Sequence, residues 1–502
     1  MPLLVATELL LVVKARHAYA QLGPNGSSIR TSRYSVDLFQ GPVIASTRVI
    51  GMGGAYVAIA ERVEGSFYNP AAPAVRMPWS RGRVDVDGAV GFTSPGTLQR
   101  SDFFNSGSDR TNLATSDPGQ FVFMDAEGHL QVDEWGFGAG VQMQQYRLNR
   151  EIRTTRDART DQLNAQVYVM LAQVARATAD GQLIVGLGLR PLSLNVANLN
   201  PSAIQPPSLF TTRGVGYSAG FLWRPNDAMF RVGASFNSAV TTRVAVATDN
   251  VAVDANGNHQ IAAGTADEMY LPEQVTLPWE LDLGVAVQFG ERPFNPRWIG
   301  TGELLRPLRR RIEWRRFERQ RKRKRLLDEA AQEPGEVERL TRQLDEDDAA
   351  AEAADEAELD REKFYANQEL KQRERRMGRW YILVTTSLRL SGAVRNGVGI
   401  ESFLQRVVDR SGARTVASPH LGLESEVIAN WLKLRAGVYG EPTRFDNANA
   451  APRLHTTVGF EQKIFYWRVF GLFPKDKAWR IQGAADFSER YFGWSAAVGV
   501  WY

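Results

Sequence analysis

Cysteine is absent from the 502-residue chain, which excludes disulfides, thiol nucleophiles and cysteine–metal sites together. Histidine is scarce: His17, His129, His259, His420 and His455 form no HExxH pair or other ligand spacing, so no metal and no cofactor is expected. Long apolar runs are missing too, because beyond the N-terminus no segment approaches the roughly 20 apolar residues of a membrane helix. Helical spans are thereby excluded and barrels are not. A barrel strand uses only about 9 to 11 residues whose side chains alternate between lipid and lumen. A mean hydropathy of -0.30 and 44 glycines fit that dilution. The net charge of +4 averages over sharply segregated segments and points to no nucleic-acid partner.

What is present begins with an apolar run, Leu3-Leu4-Val5 through Leu9-Leu10-Leu11-Val12-Val13, ending in Ala18-Tyr19-Ala20. The small-x-small ending reads as a signal peptide over residues 1–20. Glu8 within the run and Lys14 and Arg16 after it depart from that pattern. A misassigned start codon would explain both departures, and a frayed N-terminal helix is the other reading.

From Arg83 onward, apolar and non-apolar residues alternate with period two, the signature of strands whose faces see different surroundings. Trp135, Phe137, Ala139, Val141 and Met143 share one face, and Gly136, Gly138, Gly140, Gln142 and Gln144 share the other. Phe230, Val232, Ala234 and Phe236 oppose Arg231, Gly233 and Ser235, and Leu432, Leu434, Ala436 and Val438 oppose Lys433, Arg435 and Gly437. Alternation alone does not separate a sandwich from a membrane barrel. About fifteen successive segments, many ending in tryptophan as interfacial girdles do, favour the barrel. Trp79, Trp135, Trp223, Trp279, Trp380, Trp431, Trp467, Trp479 and Trp494 lie at or near such ends. Brief turns are expected near 126–129, 179–182 and 224–228, and long loops near 94–118, 147–162, 196–212 and 245–274. With both termini on one side the strand number must be even. Merging the candidates on either side of the weak break at 394–397 makes 381–403 one long bent strand and gives fourteen.

The rhythm stops between 303 and 378. A basic stretch from Arg306 to Arg325 and an acidic one from Asp345 to Glu362, separated by Glu333-Pro334-Gly335, read as an antiparallel helical hairpin. Following the eighth strand, it falls on the periplasmic side.

Ahead of the first strand stand Gly51-Met52-Gly53-Gly54-Ala55-Tyr56 and then Phe67-Tyr68-Asn69-Pro70-Ala71. This pairing resembles the FadL family of outer-membrane transporters, with Gly51, Gly53, Gly54, Asn69, Pro70 and Ala71 as the matching positions. Leu277-Pro278-Trp279-Glu280-Leu281-Asp282-Leu283-Gly284-Val285-Ala286 is similar to a Pro-led strand of the same family. The resemblance implies an all-β transmembrane fold: an outer-membrane antiparallel barrel of about fourteen strands around an N-terminal hatch. Residues 21–81 would form the hatch, 82–302 and 379–502 the two parts of the barrel, and 303–378 an insertion foreign to the family. The C-terminal alternation Trp494, Ala496, Val498, Val500, Tyr502 resembles the signal that barrel-assembly machinery reads on a last strand.

The expected function is passive uptake of hydrophobic small molecules such as long-chain fatty acids, in the outer membrane of a Gram-negative bacterium, without enzymatic chemistry. Expected partners are outer-membrane lipids, the assembly machinery, the hydrophobic substrate and a periplasmic partner of the hairpin. Barrels that resemble PorV carry a similar hatch and keep a scaffold function as the alternative. Arg190, Arg231, Asp282, Lys433 and Arg435 are expected to line the lumen. Gly216-Tyr217-Ser218-Ala219-Gly220 fits a nucleophile elbow in letters only, since it lies within an alternating strand. The basic run with Trp314 and Phe317 suits anionic lipid headgroups or a periplasmic partner better than nucleic acid.

Overall fold

The computed structural model describes residues 22–78, 80, 83–95, 102–107, 121–153, 158–198, 208–244, 251–261, 268–330, 335–447, 450–466 and 478–501. The signal-peptide reading, Trp79, Trp467 and Tyr502 lie outside these residues.

Among the described residues, fourteen strands close into one antiparallel barrel. In chain order they are β1 (Val84–Pro95), β2 (Phe121–Val132), β3 (Trp135–Arg153), β4 (Ala158–Thr178), β5 (Leu183–Asn198), β6 (Ser208–Trp223), β7 (Phe230–Asn237) and β8 (Glu280–Gly290). They continue as β9 (Tyr381–Ser391), β10 (Val416–Ile428), β11 (Leu432–Glu441), β12 (Arg453–Tyr466), β13 (Ala478–Ser488) and β14 (Tyr491–Trp501). Closure comes from β1 against β14, from Ala89↔Gly499 to Pro95↔Gly493. No helix among the described residues is long and apolar enough to cross a membrane.

The alternating pattern fixes which side faces out. Val90, Met124, Phe137, Leu187, Val215, Phe236, Leu283, Leu423, Leu434, Val458 and Val498 are exposed on the outer wall, whereas Gln144, Arg231, Asp282, Glu424, Arg435 and Glu461 are buried inside. An apolar exterior around a polar interior inverts the arrangement of a water-soluble sheet and defines a membrane barrel. Trp135, Trp223, Trp380 and Trp431, all exposed, ring the end that carries the short turns, at the level where headgroups meet the wall.

Three local expectations are corrected. The brief turn near 126–129 is instead the middle of β2, and the chain reverses at Asp133–Glu134, where Asp133 has φ 50°. Asp125, Glu127 and His129 look like turn residues because they are the polar, lumen-facing half of a strand. The loop expected over 147–162 is largely strand, since β3 and β4 stay paired from Trp135↔Arg176 to Arg153↔Ala158. Past the membrane no lipid demands apolar residues on the outer face, so the signal fades while the ladder continues. The single strand over 381–403 does not exist: β9 ends at Ser391, Gly397–Gly399 joins an internal sheet, and Ile400–Leu404 is helical. The fifteenth candidate therefore lies in the lumen. Turns at 179–182 and 224–228 fall where expected.

The segment before β1 runs through the barrel from the long-loop end to the short-turn end. Near its start Ser35–Asp37 is the central strand of a five-stranded sheet, parallel to both Gln274–Leu277 and Gly397–Gly399. Tyr34, Val36, Leu38, Phe210, Val275, Val398 and Phe403 pack there in an apolar core. Helix α1 (Thr47–Gly51) and two 3-10 turns follow, and Met77 reaches the opposite end to pack on Val500.

Between β8 and β9, on the short-turn side, helix α2 (Arg306–Ala330) pairs with α3 (Glu336–Arg376). At about 1.5 Å per residue these are roughly 37 and 60 Å long. Leu305, Leu308 and Ile312 pack beside Leu359 at the root. Farther along, ion pairs Arg315–Glu358, Arg319–Asp355 and Arg323–Asp348 hold the helices together, at 2.5, 2.8 and 2.9 Å.

Candidate functional site: the plug and its contact with the wall

The matching residues Gly51, Gly53, Gly54, Asn69, Pro70 and Ala71 are all buried in the lumen. Met52, the C-cap of α1, is followed by Gly53 and Gly54 at φ 60° and 79°, a left-handed reversal that L side chains rarely adopt. The reversal brings backbone against backbone. A Cβ on Gly53 would stand 3.0 Å from the Val438 nitrogen, and one on wall residue Gly459 would stand 3.1 Å from the Gly51 Cα. Lumen-facing Gly186, Gly220, Gly233, Gly422 and Gly437 likewise abut plug backbone or its polar atoms. The glycines on that face of the strands are a bed on which the plug backbone lies directly.

Asn69 is satisfied at every amide atom. Its Nδ2 donates to the carbonyls of Val57 at 2.9 Å and Phe221 at 3.0 Å, and its Oδ1 accepts from the Ala71 amide at 3.0 Å. It thus ties two plug turns to β6 just before Pro70 fixes the chain direction. His420 Nδ1 donates to the Gly53 carbonyl at 2.7 Å. The Val43 amide donates to Tyr439, whose hydroxyl donates in turn to Asp486. Thr47 and Ser495 hydroxyls are 2.6 Å apart.

A buried network of charges adds to these bonds. Arg48 of α1 forks onto Glu424 at 2.7 and 2.8 Å and reaches Glu61 at 3.4 Å. Glu61 also meets Arg231 of β7 at 3.0 Å and Arg292 at 3.5 Å. Arg62 contacts Glu461 at 3.0 Å, and Glu461 also pairs with Lys433, Arg435 and Arg480. Arg480 in turn binds Glu64 of the plug. Burial by itself pushes the Glu61 carboxyl up, but Arg231, Arg292 and Arg48 outweigh it and hold the group down at about 2. Plug charges are thus matched by charges on β7 and β10 through β13.

Sequence reading placed Arg231, Lys433 and Arg435 in the lumen and missed Arg48, Glu61, Arg62, Glu64, Glu424, Glu461 and Arg480. A signal existed: charges inside an otherwise apolar, glycine-rich segment need buried partners. Arg190 and Asp282 are also buried, and Asp282 pairs with Arg389 at 2.9 Å. Ser218 is a lumen-facing residue of β6, not the tip of a strand–turn–helix elbow. At the C-terminus, Trp494 and Val498 face outward, whereas Val500 is covered.

One cavity lies between plug and wall. It is lined by Leu38, Phe39, Gln40, Ile44, Phe67 and Tyr68 of the plug, by Gln142, Gln144, Val167, Val169, Arg190, Glu280 and Arg389 of the wall, and by Leu277 and Pro278. It holds about 70 Å³.

The fold and this lumen define a closed, internally plugged membrane barrel. No protein-family model matches the chain, and no curated protein matches it. Solved structures similar to it include the CymD monoaromatic hydrocarbon channel, 10% identical, covering 92% of this chain and 97% of that one with a TM-score of 0.45. The Ralstonia pickettii toluene transporter TbuX is 10% identical over 92% and 98%, with a TM-score of 0.44. A Pseudomonas aeruginosa FadL homologue is 12% identical over 92% and 99%, with a TM-score of 0.45. The barrel itself is established by the strand pairing of this chain.

Proposed function

We propose that the protein is an outer-membrane channel of a Gram-negative bacterium for passive uptake of small hydrophobic molecules, released past a plug that shifts during transport. The carrying observation is the cavity between plug and wall, where the aromatic and aliphatic groups of Leu38, Phe39, Ile44, Phe67, Val167 and Val169 stand beside polar Gln142, Gln144, Arg190, Glu280 and Arg389. At about 70 Å³ it is far below the roughly 300–1,000 Å³ of a working ligand site, so passage needs displacement of the segment around Leu38–Ile44 or of Phe67 and Tyr68. Monoaromatic hydrocarbons and the chains of long-chain fatty acids fit its apolar residues, and a fatty-acid carboxylate would meet Arg190 and Arg389 beside Glu280. Gly51, Gly53, Gly54, Asn69, Pro70 and Ala71 act in this reading as the seat of the hatch, and the last strand carries the assembly signal. The charged hairpin favours a second reading, a scaffold for an envelope assembly with no transport.

The chain's lack of cysteine permits a direct test. The Thr47 and Ser495 oxygens are 2.6 Å apart, close to the reach of a disulfide. In cells lacking the native gene, Thr47→Cys/Ser495→Cys protein should take up radiolabelled oleate or toluene when reduced and stop when oxidised. Wild-type uptake in the oxidised state would show that the plug does not move. No uptake by the wild-type protein itself, with stoichiometric co-purifying subunits, would leave the scaffold reading.

A further inference from the structure

The hairpin has two unlike sides. One stripe of α2 is spent on α3: Leu308, Ile312 and Ala330 are buried, and Arg315, Arg319 and Arg323 make the interhelical ion pairs. These positions recur at three- and four-residue steps, so they share one face. Half a turn away, Arg310, Trp314, Phe317, Arg321 and Lys324 form a second stripe, and every one is exposed. Trp314 and Phe317 are 63% and 55% exposed, with rings 6.0 Å apart. The packing of the hairpin does not use these two rings, and among the described residues no carboxylate pairs with Arg310, Arg321 or Lys324.

The stripe starts at the membrane rim. Arg306 and Arg309 line a cavity of about 560 Å³ together with Arg83, Asp133, Glu134 and Asp180 of the short-turn end. Exposed Trp135, Trp223, Trp380 and Trp431 mark headgroup level at that same end. A row of guanidinium and ammonium groups flanking two exposed aromatic rings, continuous with an aromatic girdle, matches the chemistry of a phospholipid surface. Phosphates pair with the cations, and the rings sit among glycerol and upper acyl groups. An acidic protein surface would satisfy the charges but give the rings no such environment.

We propose that this face of α2 docks on anionic phospholipid headgroups of the leaflet at the short-turn end, fixing the hairpin against the membrane. Each cation near an anionic surface strengthens such docking about fivefold, and high salt weakens it because screening lengths fall to about 3 Å at 1 M. The proposal does not depend on what the channel carries.

The test uses the full-length chain with Phe317→Cys as its one cysteine, labelled with a polarity-sensitive dye, in nanodiscs holding one barrel each. Emission should shift to the blue in discs containing phosphatidylglycerol relative to phosphatidylcholine alone. High salt should reverse the shift, and Arg310→Glu/Arg321→Glu/Lys324→Glu should abolish it while barrel migration on unheated gels stays unchanged. A dye at Ala350→Cys on α3 should report no change. Equal emission at position 317 in both lipids would overturn the proposal. So would a shift seen only in discs holding two barrels, since the stripe would then be meeting a second copy, or one seen only after adding an acidic periplasmic extract.

Discussion

Arginine and glutamate build two regions of this protein, and they do opposite work in them. In the lumen, Arg48, Glu61, Arg231, Glu424, Arg435 and Glu461 are nearly sealed from water, so removing one member strands its partners. In the hairpin, Arg315, Arg323, Asp345 and Glu358 remain partly hydrated, and each pair adds little because water already solvates both charges. Identical chemistry thus makes an obligatory lock in one place and a soluble, adhesive surface in the other. Dielectric surroundings decide which.

That contrast can be broken or sharpened. The largest effect is expected for Glu461→Ala, which leaves Arg62, Lys433, Arg435 and Arg480 without their shared acceptor. A loss of about 3–5 kcal/mol follows for a broken buried pair. It would be read as a lower unfolding midpoint and as new reactivity of a Thr47→Cys plug toward a membrane-impermeant maleimide. Continued protection of that cysteine would mean that glycine packing, and not charge, retains the plug.

A smaller and graded effect is expected from acid. The Glu61 carboxyl is held at about 2, below its ordinary 4.5, so its stabilising contribution is complete above about pH 4.5 and fades as pH falls through about 2. The midpoint difference between wild type and Glu61→Gln should therefore stay constant from neutrality to about pH 4.5 and close below it. A difference that closed near neutrality would assign the lock to another group.

Least of all should follow from Arg323→Ala in the hairpin. Loss of its contacts with Asp345 and Asp348 should leave the barrel's unfolding midpoint and gel migration where they are, with only a local, salt-sensitive loss of helicity by circular dichroism. A cooperative loss of barrel stability would show that the hairpin buttresses the barrel mouth.

Much of the barrel was legible along the chain, because strands in a membrane must alternate and Trp135, Trp223, Trp380 and Trp431 mark their ends. The turn near 126–129 was misread for an equally physical reason: polar residues signal either a turn or a lumen, and Asp125, Glu127 and His129 belong to the second. The plug was legible through the family resemblance carried by Gly51, Gly53, Gly54 and Asn69, residues that the structure buries inside the barrel. The charge lock was not, because Arg48 and Glu424 are separated by hundreds of residues and only closure of the barrel brings β10 beside α1.

By itself the sequence determined the alternation that builds the wall, the glycines that let a plug lie against it, and the unlike charges of the two hairpin helices. All of these depend on neighbours within a few residues. Only the tertiary structure decided that Gly397–Gly399 turns inward to flank Ser35–Asp37, that Arg48, Glu61, Arg62 and Glu64 of the plug meet Glu424, Arg231, Glu461 and Arg480 of the wall, and that α2 keeps one basic, aromatic face free of α3. Those outcomes depend on which distant surfaces closure brings together, and no local pattern carries that information.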